Sequence, residues 1–312
     1  MENIRISLSI VLPLVIYILV GAGIRKFGIV DESAFSKINR IIYYVGLPCV
    51  VGKSIYTCDF SIIDSFRFPL FLLITIPLIF LVSGLITWKL CKNPRRRGVI
   101  TQCISRTNDS LFGIPIAMGI LGESRISAYM ISLAISIPLF NTLAVIVMEI
   151  ARGKKIRPLN LLKNIVTNPI ILGCIIGFLL KLLHITLPDI LMESIQSLSD
   201  MVTPLAFIII GGTIHLKSLN ENRKALAVIS LFRLLVIPLV TVGIGILLGF
   251  SNAILAAVLC CFGSPCASST YAHAKEMDGD DKLAGEAVTV TSILAILSMF
   301  ILITLFKSLG VI

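Results

Sequence analysis

Asn108-Asp109-Ser110-Leu111-Phe112-Gly113-Ile114-Pro115 interrupts one long apolar segment of the chain, and Gly263-Ser264-Pro265 interrupts another. Proline removes a backbone donor and clashes with the carbonyl four residues earlier, so each segment is predicted to be a helix that breaks at its Gly-x-Pro. A broken helix at membrane depth is tolerated only where protein or a water-filled cavity surrounds it. The two interruptions therefore predict a polar site inside a membrane protein.

The composition around these segments excludes an ordinary soluble protein. Apolar residues make up 56% of the 312 residues and charged residues 14%, whereas about 25% of a globular domain is charged. The mean hydropathy is +0.99. Apolar stretches run from Ile4 to Phe306, which leaves no room for a separate soluble domain. The net charge of +10 is therefore interpreted as a topology signal and not as a nucleic-acid-binding surface.

Apolar stretches of membrane-spanning length recur along the whole chain. A helix needs about 20 apolar residues to cross a bilayer. Eight predicted spans are Ile6–Ile24, Phe35–Tyr56, Phe68–Trp88, Val99–Leu121, Ile126–Met148, Asn164–Leu180, Pro188–Ile214 and Ala287–Phe306. The run Leu234–Ala274 is twice too long for one span and is predicted to hold two, separated by a turn at Gly249–Asn252. The predicted fold class is an all-α integral membrane protein with ten transmembrane helices.

Basic residues orient these spans. With the N-terminus outside, the cytoplasmic loops hold 19 of the 27 basic residues and the outer loops hold 6. Positive residues favour the cytoplasmic side, so both termini are predicted to lie outside the cytoplasm in the cell membrane. The first apolar stretch is too long for a signal peptide and is followed by Arg25 and Lys26, so it is interpreted as the first span.

The chain contains an internal repeat. Pro13, Gly21 and Pro48 recur 156 residues later as Pro169, Gly177 and Pro204, and the Gly-x-Pro ending at Pro115 recurs 150 residues later at Pro265. Residues 4–150 and 163–309 each hold five spans, and an odd number gives the halves opposite orientations. The broken fourth and ninth spans are predicted to cross near the midplane. Their half-helix N-termini, with hydroxyls at Ser268 and Ser269, would bind a carboxylate there.

Four polar residues inside the spans are further candidates for function, because such groups are costly at membrane depth. Asp109 could bind H⁺ or Na⁺ and couple its gradient to transport, or pair with Arg106 on the same helix face. Arg233 could face an anionic substrate or pair with a carboxylate. Asp200 could also take part in coupling. Asn141 could line the site or bond a neighbouring helix.

At the two interruptions the sequence resembles the auxin efflux carrier family, which includes plant auxin exporters and bacterial malate and malonate permeases. The stretch from Asn108 to Pro115 is similar to that family's Asn-x4-Gly-x-Pro, and Pro265 followed by Ala274-Lys275-Glu276 resembles its ninth-span pattern. Asn168-Pro169-Ile170-Ile171-Leu172 and Thr203-Pro204-Leu205-Ala206 resemble the sixth and seventh spans. The bacterial form is the closer match, because little more than Ala151–Leu162 joins spans 5 and 6.

The resemblance implies a scaffold from spans 1, 2, 6 and 7, a moving transport domain from spans 3–5 and 8–10, and a homodimer through the scaffold. It also implies elevator-like transport of small organic anions, with Asn108 in contact with the substrate and Asp200 in a structural hydrogen bond. The predicted substrate-binding residues are Asn108, Asp109, Gly113, Ile114, Pro115, Ser264, Pro265, Ser268 and Ser269. The coupling or charge-pair candidates are Asp109, Arg106, Asp200 and Arg233.

Other function classes fit the residues less well. A cation–proton antiporter or a sodium-coupled bile-acid-type symporter of similar architecture is the alternative, although such antiporters favour adjacent carboxylates in the membrane. An intramembrane enzyme is not expected, because no HExxH occurs and no His or Lys lies within the membrane to act as the base of a serine protease. His184, His215 and His273 lack ligand spacing, and the eight cysteines form no CxxC pair, so no metal or cofactor is predicted beyond a coupling H⁺ or Na⁺.

Overall fold

The computed structural model describes residues 2–57, 66–153, 167, 169–212, 222–267 and 269–312, and these residues are almost entirely helical. The helices are α1 (Glu2–Lys26), α2 (Glu32–Ile41), α3 (Leu47–Thr57), α4 (Arg67–Leu90), α5 (Pro94–Ser105), α6 (Ile114–Arg125), α7 (Ser127–Ala151), α8 (Pro169–Leu182), α9 (Asp189–Asp200), α10 (Val202–Gly212), α11 (Arg223–Leu231), α12 (Ile237–Leu247), α13 (Asn252–Gly263), α14 (Ser269–Glu276) and α15 (Asp281–Ser308). Single π-helical turns occupy Ile42–Gly46, Asp109–Gly113 and Phe232–Val236.

The helices agree with the predicted all-α membrane fold. In the described part of the chain, five are long and apolar enough to cross a bilayer: Arg67–Leu90, Ser127–Ala151, Asp189–Gly212, Arg223–Leu247 and Asp281–Ser308. The shorter α8 and α13 are also apolar. The turn predicted at Gly249 is confirmed, since α12 ends at Leu247 and Gly249 has a φ of +71°. The count of ten spans and the inverted orientation of the two halves stay predictions.

In two helix pairs, glycines allow the backbones of the paired helices to come into contact. α1 lies along α10, and α3 lies along α8. A Cβ atom at Gly21 of α1 would collide with the carbonyl group of Ile208 in α10, and one at Gly177 of α8 would collide with Gly52 of α3. Small residues allow helices to approach this closely within a membrane. These contacts join the first, second, sixth and seventh predicted spans into one group.

The remaining long helices form a second group around α5 and α13. α4 packs on α5 and α7, α12 packs on α13, and α15 packs on α14 and α11. Phe71 of α4 sets its ring edge against Phe250 and Phe262, with ring centroids 5.4 and 6.4 Å apart. The two groups touch where Phe112 stacks at 5.4 Å on Phe207 of α10.

The fourth predicted span breaks earlier than its proline. α5 ends at Ser105, Arg106 is extended at φ −88° and ψ 130°, and helical structure resumes at Asp109. The prediction that this helix breaks at Pro115 is therefore wrong. Pro115 lies in the first turn of α6, where a missing N–H costs little.

The ninth predicted span breaks at its proline, as expected. α13 ends at Gly263, Ser264 is extended, and α14 begins at Ser269. α5 and α13 are both 12 residues long. Pro94 and Asn252, which begin them, are 158 residues apart, as are Ser105 and Gly263, which end them. Position 265 therefore corresponds to position 107. The prediction that the two Gly-x-Pro motifs, 150 residues apart, occupy equivalent positions of the repeat is wrong.

Candidate functional site at the crossing of two broken helices

The extended segments Arg106–Asn108 and Ser264–Ala267 cross and bond to each other; we call them the crossing. An isolated antiparallel bridge pairs Thr107 with Cys266. The N–H of Asn108 donates to the carbonyl oxygen of Pro265 at 2.8 Å, and the N–H of Ala267 donates to the carbonyl oxygen of Arg106 at 3.4 Å. The predicted crossing of the fourth and ninth segments is thus present, but it is made by residues 106–108 and not by Gly113–Pro115.

Arg233 joins the ends of the two helices that lead into the crossing. Its side chain is fully buried. Nη1 donates to the carbonyl oxygens of Ile104 at 3.0 Å and Ser105 at 3.1 Å, at the end of α5. Nη2 donates to the carbonyl oxygen of Phe262, near the end of α13. Helix C-termini carry negative partial charge, so the two helix ends take the place of an acidic partner for the guanidinium. The predicted roles for Arg233, facing a substrate or pairing with a carboxylate, do not match these contacts.

Arg106 places a second guanidinium at the crossing itself, where it is 6% exposed. Nη2 donates to Oδ1 of Asn141 at 2.5 Å. Nη1 lies 3.1 Å from Nδ1 of His273 and 3.5 Å from Oε1 of Gln102. None of these partners is an acid. Within the described residues, the charge of Arg106 is therefore balanced by no carboxylate within ion-pair distance.

Asp109 follows the crossing and is 4% exposed. Its carboxylate accepts from Oγ of Ser136 at 2.5 Å, and Asp109 lies in the first turn of its half-helix. The hydroxyl of Tyr129 donates to the carbonyl oxygen of Asp109 at 2.6 Å. The alternative ion pair with Arg106 is not formed between these two described side chains. Since Asp109 already occupies the N-terminus of its half-helix, a bound anion would meet side-chain donors instead.

Three side chains between Gln102 and Asn108 each have a buried polar atom with no hydrogen-bond partner in the part of the chain that the structure describes. The atoms are Nε2 of Gln102, Oγ1 of Thr107 and Nδ2 of Asn108. The three residues are 0%, 3% and 4% exposed. An unsatisfied buried donor costs about 1–3 kcal/mol. Their grouping beside Arg106 therefore indicates a place where a ligand supplies hydrogen-bond acceptors.

The other predicted substrate residues lie at or beside the crossing. Gly113 is close to the Tyr129 hydroxyl and the Ser264 side chain, so a Cβ there would collide with Tyr129. The Ser264 hydroxyl donates to the carbonyl oxygen of Cys260 at 2.6 Å. Ile114 is buried, Pro115 is half-buried in α6, and Ser269 is half-buried at the first residue of α14. Ser268 lies outside the described residues.

The structure places the two remaining candidates, Asp200 and Asn141, in different surroundings. Asp200 lies at the exposed end of α9, outside the crossing, and accepts from Nε2 of Gln196 at 2.6 Å. Asn141 bonds a neighbouring segment, because its Oδ1 accepts from Arg106, and its Nδ2 donates to the carbonyl oxygen of Ile137 on its own helix. That it lines a substrate site stays a prediction.

Sequence reasoning missed Gln102, Ser136 and His273. His273 lies eight residues after Pro265 in the sequence, and nothing in that spacing links it to Arg106. No group of three or more potential metal ligands occurs among the described residues.

Comparison with known proteins identifies the family of the chain. A family model described as a membrane transport protein matches residues 6–303. The chain belongs to this family, the auxin efflux carrier family. The transporter is 25% identical to an uncharacterized transporter of Methanothermobacter thermautotrophicus, over 94% of this chain and 96% of that one. It is 22% identical to an uncharacterized transporter of Methanocaldococcus jannaschii, over the same shares. The family resemblance is confirmed, and the protein is a multi-pass membrane transport protein and not an enzyme.

Proposed function

We propose that the transporter is a secondary carrier that moves small organic anions, such as carboxylates, across the cytoplasmic membrane by elevator-like alternating access. The observation that supports this most directly is the set of unpartnered donors at the crossing, which includes the amides of Gln102 and Asn108. These groups offer hydrogen to a ligand, and a carboxylate offers two acceptor oxygens.

The charge of Arg106 favours an anion over a neutral ligand. A buried guanidinium without a carboxylate in hydrogen-bond contact is unfavourable, because its loss of hydration is then only partly repaid. A substrate carboxylate beside Arg106 would supply that charge. It would also accept from the amide of Asn108, which follows two residues later. The proposed substrate site therefore consists of the crossing with Gln102, Arg106, Thr107 and Asn108, together with Ser264, Pro265 and the first residues of α14.

An elevator requires one group of helices to move against another. We assign α1, α2–α3, α8 and α9–α10 to the scaffold and the group around α5 and α13 to the transport domain. The glycine contacts that hold α1 to α10 and α3 to α8 support a rigid scaffold. The 158-residue correspondence between α5 and α13 supports the inverted repeat. A homodimer through the scaffold, with both termini outside the cytoplasm, completes the proposal.

Asp109 is the proposed site of a coupling H⁺ or Na⁺. It is a buried carboxylate whose described side-chain hydrogen-bond partner is the hydroxyl of Ser136, and it forms no ion pair among the described residues. This carboxylate also favours the alternative function, a cation–proton antiporter or a sodium-coupled symporter of similar architecture. The two functions differ in one respect: an antiporter binds and exchanges cations without an organic anion.

Ligand binding by purified protein tests the proposal. We expect at least one of lactate, pyruvate, succinate and malonate to raise the melting temperature. Asn108→Ala should lower its affinity tenfold or more, since a hydrogen bond to a charged group contributes roughly 1.5–3 kcal/mol. The unliganded variant should keep its stability, because the amide Nδ2 has no partner among the described residues.

Asn252→Ala is the matched control. Asn252 is exposed, begins α13, and contacts the carbonyl oxygen of Gly310 at 3.5 Å. This variant should bind the anion like the parent protein. Equal losses in both variants, or no response to any of the four anions, would contradict an organic-anion site at the crossing.

A further inference from the structure

His273 contacts the charged group of the crossing directly. It lies on α14, and its Nδ1 is 3.1 Å from Nη1 of Arg106. A guanidinium has only donors and stays charged at any pH that a protein tolerates. Nδ1 of His273 therefore accepts this hydrogen bond and carries no proton. Without an anion, His273 is thus a neutral imidazole with its proton on Nε2.

Binding of an anion changes the surroundings of this imidazole. A carboxylate that takes the donors of Arg106 competes with His273 for them and neutralises the guanidinium charge. Once that charge is neutralised, a proton on Nδ1 is no longer repelled by it. The protonated imidazole then has two donors and adds a positive charge beside the anion.

We propose that the transporter takes up one proton on His273 when it binds an organic anion at the crossing, so that anion and proton are bound together. The inference rests on the proposed function and adds a proton on His273 to the ion proposed for Asp109. Binding linkage is reciprocal, so a lower pH strengthens anion binding as much as the anion strengthens proton binding. For a monocarboxylate, the bound pair adds no net charge to the transport domain.

Among the described residues around His273, Arg106 is the charged group in direct contact with it. The positive charge of Arg106 is favoured electrostatically by its neighbours Cys266, Asp109 and Tyr43. On its own helix, Tyr271 and Lys275 are exposed. From α15, Glu286 accepts from Nδ2 of Asn222 at 2.8 Å. Asp109 is therefore the titratable group that an experiment must separate from His273.

Calorimetric titration in two buffers of different ionisation enthalpy counts the protons taken up per anion. The anions are lactate, pyruvate, succinate and malonate. They are titrated between about pH 6 and pH 8, where imidazole changes its charge, and each anion's own proton release is measured without protein and subtracted. We expect close to one proton per anion for the parent protein. Its dissociation constant should rise by up to tenfold per pH unit. His273→Gln should bind the anion with no proton uptake, and His184→Gln, in the loop after α8, should match the parent.

The outcomes separate this inference from the proposed function. Anion binding by the parent protein without proton uptake overturns the inference and leaves the proposed function standing. No binding of any of the four anions overturns both. Asp109→Asn should still take up the proton. Uptake that survives in His273→Gln and disappears in Asp109→Asn overturns the inference and places the proton on Asp109. Where His273→Gln does not fold, proton uptake that persists in Asp109→Asn supports the inference, and uptake that disappears in Asp109→Asn overturns it.

Discussion

The N–H of Asn108 donates to the carbonyl oxygen of Pro265 at 2.8 Å, although 157 residues separate them in the chain. This bond joins the break in one helix to the break in the other. Each extended segment supplies a partner for backbone groups that the other leaves free. Buried backbone donors and acceptors are nearly always paired, so the two breaks stabilise each other.

Pro265→Ala should weaken anion binding by tenfold or more. Alanine restores an N–H and allows α13 to continue toward α14, which removes the extended backbone that Asn108 and Thr107 contact. Loss of one hydrogen bond to the anion, at roughly 1.5–3 kcal/mol, already accounts for tenfold. Binding of the four carboxylates by the purified variant measures this.

Pro115→Ala and Pro138→Ala are the controls for that substitution. Pro115 lies in the first turn of α6 and Pro138 within α7, and neither takes part in the crossing. Both variants should bind within about threefold of the parent protein, which is less than one hydrogen bond to a charged group. Similar losses in all three variants would show that the break at Pro265 has no special role.

Asp109→Asn should fold but lose the Na⁺ dependence of anion accumulation in proteoliposomes, while the pH dependence that comes from His273 remains. The amide keeps the size of the carboxyl group but can hold neither a proton nor the charge that attracts Na⁺. Accumulation is measured under an imposed Na⁺ gradient and under an imposed pH gradient, and the dependence that disappears identifies the ion. A variant that accumulates the anion fully under both gradients would rule out coupling through Asp109.

Arg233→Gln should destabilise the protein rather than change its substrate preference. The substitution removes the buried charge and leaves the carbonyl oxygens of Ser105 and Phe262 without their donor. Removal of one partner from a buried charged contact costs about 3–5 kcal/mol. We expect a clearly lower melting temperature in detergent. Arg223→Gln, at the exposed start of α11, should melt like the parent, and equal melting temperatures for both variants would contradict the contacts of Arg233.

Cysteine labelling tests the predicted orientation. Arg96 is unsuitable because it pairs with Asp280 at 3.4 Å, and Gly310 is unsuitable because its φ is +68°. The exposed positions Lys92 and Ser308 replace them. A membrane-impermeant maleimide should label Lys92→Cys only from the cytoplasm and Ser308→Cys only from outside, with the parent protein measuring background. Labelling of both from one side would be incompatible with the predicted topology.

The positions of the helices and one of the two breaks could be read from the sequence. Apolar stretches of spanning length predicted the long helices, because hydropathy depends on residues close together in the chain. The break at Pro265 was also predicted correctly, since proline acts on the backbone of its own turn. Family membership followed from short motifs in a fixed order, and the comparison confirms it.

The tertiary structure decided the other break and the polar contacts of the site. Arg106–Asn108 has no proline or glycine, and it is extended where Ser264–Ala267 lies against it. The position of Arg233 in the sequence does not show that its guanidinium meets two helix ends. His273, near a predicted span end, had no visible role until folding placed it beside Arg106. A local pattern fixes which backbone becomes helical, whereas the partner of a buried charge depends on packing between segments distant in the chain.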